Sequence, residues 1–215
     1  MTLFELNEII ENGENDKIEF KRKFTEPEKI SKGMIAFANT RGGVILFGVD
    51  DDKSVVGVES EKGEMEFIDL AAKFYCEPPI NYKADILHIY RKDVVAITIP
   101  ESKTKPHRLI GNVKEDSDET KVYIRVKDKS VLASKETIRI LRNSNPDSPP
   151  MIVNIGDKEN SLIEFLKTNE RITMKELKSM LNISNRRASR ILVNLVRASL
   201  IRLHNYEKED FYTLA

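Results

Sequence analysis

The segment from Asn143 to Pro150, NSNPDSPP, is the feature that most restricts how this chain folds. It combines turn-forming residues with three prolines, and a proline pushes the residue before it out of helical geometry. We expect no regular element to run through it. The sequence therefore predicts two domains in its 215 residues: residues 1–142 form the larger one, residues 143–157 a linker, and residues 158–215 the smaller one.

Charge is divided unevenly between these two parts. The whole chain carries 35 Lys and Arg against 35 Asp and Glu, but residues 151–215 hold 11 basic and 8 acidic residues. The single cysteine, Cys76, excludes a disulfide within the chain and is typical of a reducing compartment. The longest apolar run, Gly43 to Val49, is much shorter than the ~20 residues of a membrane span. The acidic, amphipathic N-terminus is unlike a signal peptide. We therefore expect a cytoplasmic protein whose smaller domain is the basic one.

Both hydrophobic periodicities occur in the larger domain. Ile18 and Phe20 alternate with charged residues, as in a strand, while residues 30–38 carry a helical apolar stripe. Gly43 to Val49 is continuously apolar, which fits a buried central strand. This pattern predicts an α+β domain with a mixed sheet. The pair Gly42–Gly43 predicts a positive-φ turn between helix and strand, with a phosphate-cradling loop as the alternative. The sequence contains no GxxxxGK[ST] motif, which argues against a Walker-type ATPase.

The smaller domain has the order helix, helix, turn, helix and hairpin, which is typical of a winged helix-turn-helix. Residues 161–167 are helical in pattern, and Thr173 and Glu176 form a T-x-x-E capping box for the second helix. Ser184 can cap a third helix that runs from Asn185 to about Ser199. The segments LIRL and FYTL then predict the two strands of a wing.

The third helix divides into an apolar face and a basic face. At ~100° per residue, Arg186, Arg190 and Arg197 lie opposite the apolar positions. The stretch from Ser184 to Leu200 holds four arginines and no carboxylate, which is typical of a surface for phosphates and guanine edges. Base contacts come from the N-terminal part of such a helix. The predicted base contacts are Asn185, Arg186, Ser189 and Arg190, and the predicted phosphate contacts are Arg187 and Arg197.

Two other interpretations of this basic face stay open. A solvated face of a small helical domain has a similar pattern, and so does a protein–protein contact. The lack of an acidic neighbour favours nucleic acid. A protein that neutralises several phosphates must bind with a steep salt dependence, which the other two interpretations do not predict.

Three stretches of the larger domain carry a family resemblance: ENDKIEFKRKF, AFANTRGGVILFGVDDD and VYIRVKDKSVLAS. In their order and spacing, over roughly residues 14–142, they resemble the Schlafen AlbA-like domain (AlbA-2, or divergent AAA-4) of bacterial transcriptional regulators. The matching residues are Glu14, Glu19, Phe20, Lys21, Ala38, Asn39, Thr40, Gly42, Gly43, Phe47, Gly48, Val49, Asp50, Asp51, Gly57, Pro106, Tyr123, Ile124 and Arg125. Relatives often append a C-terminal winged helix. They also often have a glycine soon after the arginine, whereas Val126, Lys127 and Asp128 follow here.

The resemblance implies nucleic-acid binding by this α+β domain, and it raises a nuclease as a second hypothesis. Schlafen relatives with nuclease activity hold a divalent metal with two glutamates and an aspartate. The matching residues are Glu14, Glu19 and Asp51, with Asp50 as the alternative to Asp51. Mg²⁺ or Mn²⁺ held there would polarise a phosphate and activate a water, and the neighbouring Lys21 and Lys23 would hold nucleic acid. The structural alternative makes the three carboxylates a turn residue, an ion-pair partner and part of a hairpin turn.

The leading hypothesis is a DNA-binding transcriptional regulator that reads duplex DNA with the winged helix. On this hypothesis the protein is not an enzyme and requires no cofactor, so Mg²⁺ or Mn²⁺ belongs only to the nuclease alternative, which acts on RNA or DNA. A homodimer is expected by comparison with regulators that read two half-sites ~34 Å apart. Cleavage that depends on metal separates the two hypotheses.

Overall fold

The computed structural model of the chain describes residues 1–110, 121–145, 154–206 and 208–215. These residues divide into two compact units, Met1–Leu132 and Ala133–Ala215. Most of the predicted linker, residues 146–153, lies outside the described ranges. No helix within those ranges is both long enough and apolar enough to cross a membrane.

The N-terminal unit is built on a four-stranded mixed sheet with helices on both faces. Its helices are α1 (Leu3–Asn12), α2 (Pro27–Asn39) and α3 (Glu61–Phe74). Its strands are β1 (Ile18–Lys21), β2 (Gly43–Phe47), β3 (Cys76–Glu77), β4 (Lys83–Ile89), β5 (Lys92–Ile99), β6 (Arg108–Leu109), β7 (Tyr123–Val126) and β8 (Lys129–Leu132). The sheet has the order β1-β2-β5-β4, with β1 parallel to β2 and the other neighbours antiparallel. The predicted α+β class with a mixed sheet is confirmed.

Alternation along β2 gives this sheet two apolar faces. Ile45 and Phe47 belong to the core shared with α2 and α3, whereas Leu46 belongs to the core shared with α1. Successive side chains of a strand point to opposite faces, so one strand supports both layers. The strand is buried on both sides, which explains why its sequence is continuously apolar.

The glycine pair before β2 makes the predicted turn. Gly42 has φ of 69°, and a Cβ atom there would lie 2.6 Å from the carbonyl oxygen of Ile99. A Cβ atom on Gly43 would lie 2.6 Å from the carbonyl oxygen of Lys17. Both positions therefore require glycine, the first for its backbone conformation and both for the close approach of neighbouring chain.

The described residues of the C-terminal unit form four helices and a small antiparallel sheet. Its helices are α4 (Lys135–Arg142), α5 (Asp157–Thr168), α6 (Met174–Leu181) and α7 (Asn185–Arg197). Its strands are β9 (Ile172–Thr173), β10 (Ile201–His204) and β11 (Phe211–Leu214), in the order β10-β11-β9. The apolar core joins α5, α6 and α7 to the sheet, with Tyr212 among its largest buried side chains.

The helix α4 lies on the other side of the domain boundary from its predicted place. The sequence predicts that the larger domain ends at residue 142, but the structure groups α4 with the C-terminal unit. Asp210, which precedes β11, accepts hydrogen bonds from the hydroxyls of Ser134 (2.6 Å) and Thr137 (3.2 Å) at the start of α4. This contact spans more than 70 residues of sequence, so local patterns carry no sign of it.

The helix boundaries around the turn follow the predicted caps. Thr173 and Glu176 form the capping box of α6, and Asn182 ends that helix in the left-handed conformation with φ of 47°. The Ser184 side chain accepts the backbone N–H of Arg187 and begins α7. Side-chain caps thus fix the first residues of α6 and α7, and the left-handed Asn182 fixes the end of α6.

Candidate nucleic-acid interface

The helix α7 buries one face in the core of the C-terminal unit. Ala188, Leu192 and Leu195 have no exposed surface, and Ile191 is 3% exposed. These residues recur at helical spacing and fix the rotation of the helix about its axis. The opposite side of α7 is therefore turned away from this core.

That opposite side carries the predicted arginines. Arg186, Arg187 and Arg190 are exposed, as is Asn185, while Arg197 is half-buried. Within the described ranges, Arg186, Arg187 and Arg190 have no ion pair or hydrogen bond through their side chains. We call Arg186, Arg190 and Arg197 the arginine face of α7. Its first two guanidinium groups are available to an anion from outside the chain.

The prediction that Ser189 contacts a base is wrong. Its residue is 1% exposed, and its hydroxyl accepts a hydrogen bond from the Arg139 guanidinium on α4. Val193, one turn further along α7, is 6% exposed. The helix thus has a third, covered side, against which α4 packs. Sequence spacing alone put Ser189 on the accessible side because the covering helix comes 50 residues earlier in the chain.

In the N-terminal unit, Glu19 is held by two cations. Its carboxylate pairs with Arg125 Nη1 at 2.6 Å and with Lys21 Nζ at 2.6 Å, and the residue is 8% exposed. Arg125 Nη2 also donates to the carbonyl oxygens of Asn15 and Ile18, at 3.1 and 3.0 Å. The Arg125 side chain is 2% exposed and lies over the Phe37 ring. The motif arginine thus fastens β7 to β1.

Glu14 and Asp51 have different surroundings from Glu19. Glu14 is exposed, and its carboxylate accepts the backbone N–H of Phe20 at 2.7 Å. Asp51 is exposed in the turn after β2, where Asp50 pairs with Arg22 at 2.9 Å. Among the described residues, no group of three or more His, Cys, Asp or Glu side chains is placed to hold a metal ion. The structure does not bring the predicted metal set together, and Glu19 already serves two cations. The donor set does not fit Mg²⁺ or Mn²⁺, which both need several oxygen ligands.

The two predicted lysines of this unit differ in availability. Lys21 is half-buried, and its charge is matched by Glu19. Lys23 is exposed and lines an open cavity of about 480 Å³ together with Arg22 and Phe67. Of these two lysines, only Lys23 is exposed in the way that a contact with nucleic acid requires.

A second motif residue, Asn39, also works inside the fold. Its amide donates to the carbonyl oxygens of His107 and Tyr123, both at 2.9 Å, and accepts the backbone N–H of His107 at 2.8 Å. His107 is 2% exposed, and burial lowers the pKa of its imidazole. Its ring nitrogens contact the carbonyl oxygen of Pro78 and the hydroxyl of Ser102, both at 2.7 Å. Asn39 thereby ties the end of α2 to two later segments.

Sequence reasoning missed two contributors, Arg139 and Asp210. Arg139 is exposed yet bound to α7, and Asp210 anchors α4. The high basic content at the end of α4 was visible in the sequence. The predicted domain boundary at residue 142 separates α4 from α7, so the sequence gives no sign that the two helices are in contact.

Two family models match separate parts of the chain. Residues 14–134 match the family model described as Schlafen, AlbA_2, and residues 158–204 match the model described as PCI domain. One similar solved structure is the DIP2311 protein from Corynebacterium diphtheriae, with 12% identity over 79% of this chain and a TM-score of 0.48. This chain covers 31% of that protein. Another is the N-terminal domain of a RecG-related protein from Nitrosomonas europaea, with 20% identity, 62% of this chain and 92% of that chain covered, and a TM-score of 0.42.

Proposed function

This chain belongs to the Schlafen AlbA_2 family, and we propose that it is a DNA-binding transcriptional regulator that contacts duplex DNA through the arginine face of α7. The family is nucleic-acid related, which makes a nucleic acid the partner to consider first. The C-terminal unit, in this proposal, is a winged helix-turn-helix with α7 as its recognition helix and the β10–β11 hairpin as its wing. A cytoplasmic location and a homodimer remain predictions that accompany this role.

One observation carries the proposal. Arg186 and Arg190 project from a helix whose other side is locked in a core, and no carboxylate of the described ranges neutralises them. An arginine offers a planar fork of donors that suits phosphates and guanine edges. The helix has 13 residues, so it is about 20 Å long, and the DNA major groove is wide enough to admit it.

The supporting details concern rigidity. Ser184 caps the start of α7, and the Thr173–Glu176 box caps the helix before it. Fixed helices hold their arginines in place before binding, which lowers the entropy that association costs. Base contacts are proposed for Asn185, Arg186 and Arg190, and phosphate contacts for Arg187 and Arg197.

The metal-dependent nuclease receives no support from the described residues. Glu19 forms ion pairs with Arg125 and Lys21, while the Glu14 carboxylate accepts the backbone N–H of Phe20 in β1. We therefore derive no catalytic step through a metal. The nuclease is kept as an outcome of the test.

The test incubates the purified protein with labelled duplex DNA, single-stranded DNA and structured RNA, each with Mn²⁺ or with EDTA. Each reaction runs on paired native and denaturing gels. The proposal predicts retarded, intact duplex DNA in both conditions. Fragments that require Mn²⁺ would make the protein a nuclease, and retardation of RNA alone would contradict a duplex DNA target. Failure to retard any nucleic acid would favour a protein-interaction module.

A further inference from the structure

The helix α4 is fixed to the C-terminal unit at both of its ends. At its start, Asp210 accepts from Ser134 and Thr137, and Asn205 donates to Thr137 at 2.8 Å. In its last turn, Arg139 donates to the hydroxyl of Ser189 on α7. Asn205 and Asp210 lie in the connection between β10 and β11, so α4 is bound to this connection as well as to α7.

The contact between α4 and α7 brings a further arginine to the edge of the arginine face. Arg139 donates from Nη1 to the buried hydroxyl of Ser189. Ser189 directly precedes Arg190 and lies about 60° round the helix from Arg186 at ~100° per residue. The Arg139 guanidinium is therefore held beside the arginine face while the residue itself remains exposed.

Lys135 and Glu136 balance each other in the first turn of α4, so the net positive charge of the helix lies in its last turn. Its sequence, KETIRILR, has one carboxylate, Glu136 in the first turn, and two arginines, Arg139 and Arg142, in the last turn. Both arginines are exposed, and they share one side of the helix because they stand at positions i and i+3. Two helices of different sequence regions thus contribute cations to one surface.

We infer that α4 is part of the DNA-binding surface of this unit and that Arg139 contacts a backbone phosphate next to the bases read by α7. The inference rests on the function proposed above. Arg139 meets the requirements of a phosphate contact: a planar donor group, an exposed position, and an anchored helix that holds it in place. The side chain has donors beyond the one given to Ser189, since a guanidinium carries five N–H groups. The hydrogen bond to the neutral Ser189 hydroxyl orients the Arg139 guanidinium but does not neutralise its charge.

The experiment measures binding to a 30-base-pair duplex, selected for binding from a randomised pool, by fluorescence anisotropy at several salt concentrations. Each phosphate contact contributes about 0.9 to the slope of log affinity against log salt, which is about five- to tenfold in affinity near 0.1 M salt. We expect Arg139→Ala to lower the slope by about that amount and to weaken binding accordingly. Arg139→Lys keeps the charge and should keep the slope.

A matched control and a reference variant separate the possible outcomes. Lys167→Ala removes one cation from the last turn of α5 and should leave the slope unchanged. The double variant Arg186→Ala with Arg190→Ala tests the proposed function itself. Should the double variant lose binding while Arg139→Ala binds like wild type, the inference about α4 is wrong and the proposed function stands.

Two further results would also overturn the inference. Equal losses in Arg139→Ala and Lys167→Ala would mean that any cation of the unit contributes by general attraction. An unaffected double variant would remove the proposed function and the role of α4 with it. A fall in slope for Arg139→Ala that Arg139→Lys restores is the result that supports the inference.

Discussion

The arginines of the two units have opposite surroundings. In the N-terminal unit, Arg125 is buried, pairs with Glu19 and donates to two backbone carbonyls. In the C-terminal unit, Arg186 and Arg190 are exposed and make no ion pair within the described ranges. The charge of Arg125 helps to hold two strands together, whereas the charges of Arg186 and Arg190 are available to a partner.

A recognisable family motif and a binding surface therefore need not coincide. The residues that carry the family resemblance include Asn39 and Arg125, and both make hydrogen bonds inside the fold. The arginine face of α7 lies outside the region that matches the family. We therefore expect substitutions of Asn39 or Arg125 to change stability, and substitutions in the arginine face of α7 to change binding.

The largest change in stability is expected when the buried arginine is removed. Arg125→Ala should lower the free energy of unfolding by about 3–5 kcal/mol, because Glu19 would keep a buried charge with one partner fewer. Urea unfolding followed by circular dichroism measures this. Arg187→Ala, which removes an exposed arginine, should change the same free energy by less than about 0.5 kcal/mol. Equal effects of the two substitutions would refute the distinction.

The next largest effect is expected at Asn39. Asn39→Ala should cost about 2–3 kcal/mol of unfolding free energy, because three backbone groups of His107 and Tyr123 lose a buried partner. Asn81→Ala, at an exposed position, serves as the control in the same urea titration. A mild effect at Asn39 would show that water replaces its amide.

A smaller effect is expected from the titration of His107. Burial lowers the pKa of its imidazole, so the unfolded chain takes up a proton near pH 6.5 while the folded protein does not. Because the unfolded state then binds more protons, stability must fall as the pH drops below about 6.5. Urea unfolding at pH 7.5 and 5.5 measures this change. In His107→Gln the difference between the two pH values should shrink, and an unchanged difference would assign it to other groups.

Local signals predicted much of the fold and one side of the candidate site. The Thr173–Glu176 box, the Gly42–Gly43 turn and the buried strand β2 each depend on neighbours in sequence, and the structure has all three. The rotation of α7 followed from its apolar spacing in the same way. Patterns of this kind describe an element but not what covers it.

Long-range contacts account for what the sequence left unpredicted. Ser189 is covered by Arg139, and Glu19 is paired with Arg125, which is 106 residues away. A carboxylate in a motif does not indicate whether a metal or a cation from a distant strand will neutralise it. The turn at Lys127 gives a related example, because this residue has a positive φ of 54° where relatives often have a glycine nearby. The resemblance gives no warning that a lysine takes that conformation here.

The most direct test of the central claim measures two quantities on one double variant, Arg186→Ala with Arg190→Ala. Duplex DNA affinity is measured by fluorescence anisotropy, and the free energy of unfolding by urea titration. We predict that affinity for a specific duplex site falls by about tenfold or more, since each good base contact is worth ~1–3 kcal/mol, while the unfolding free energy changes by less than about 0.5 kcal/mol. Unchanged affinity, or a loss of affinity that accompanies a loss of stability, would contradict the claim that α7 presents a surface for DNA.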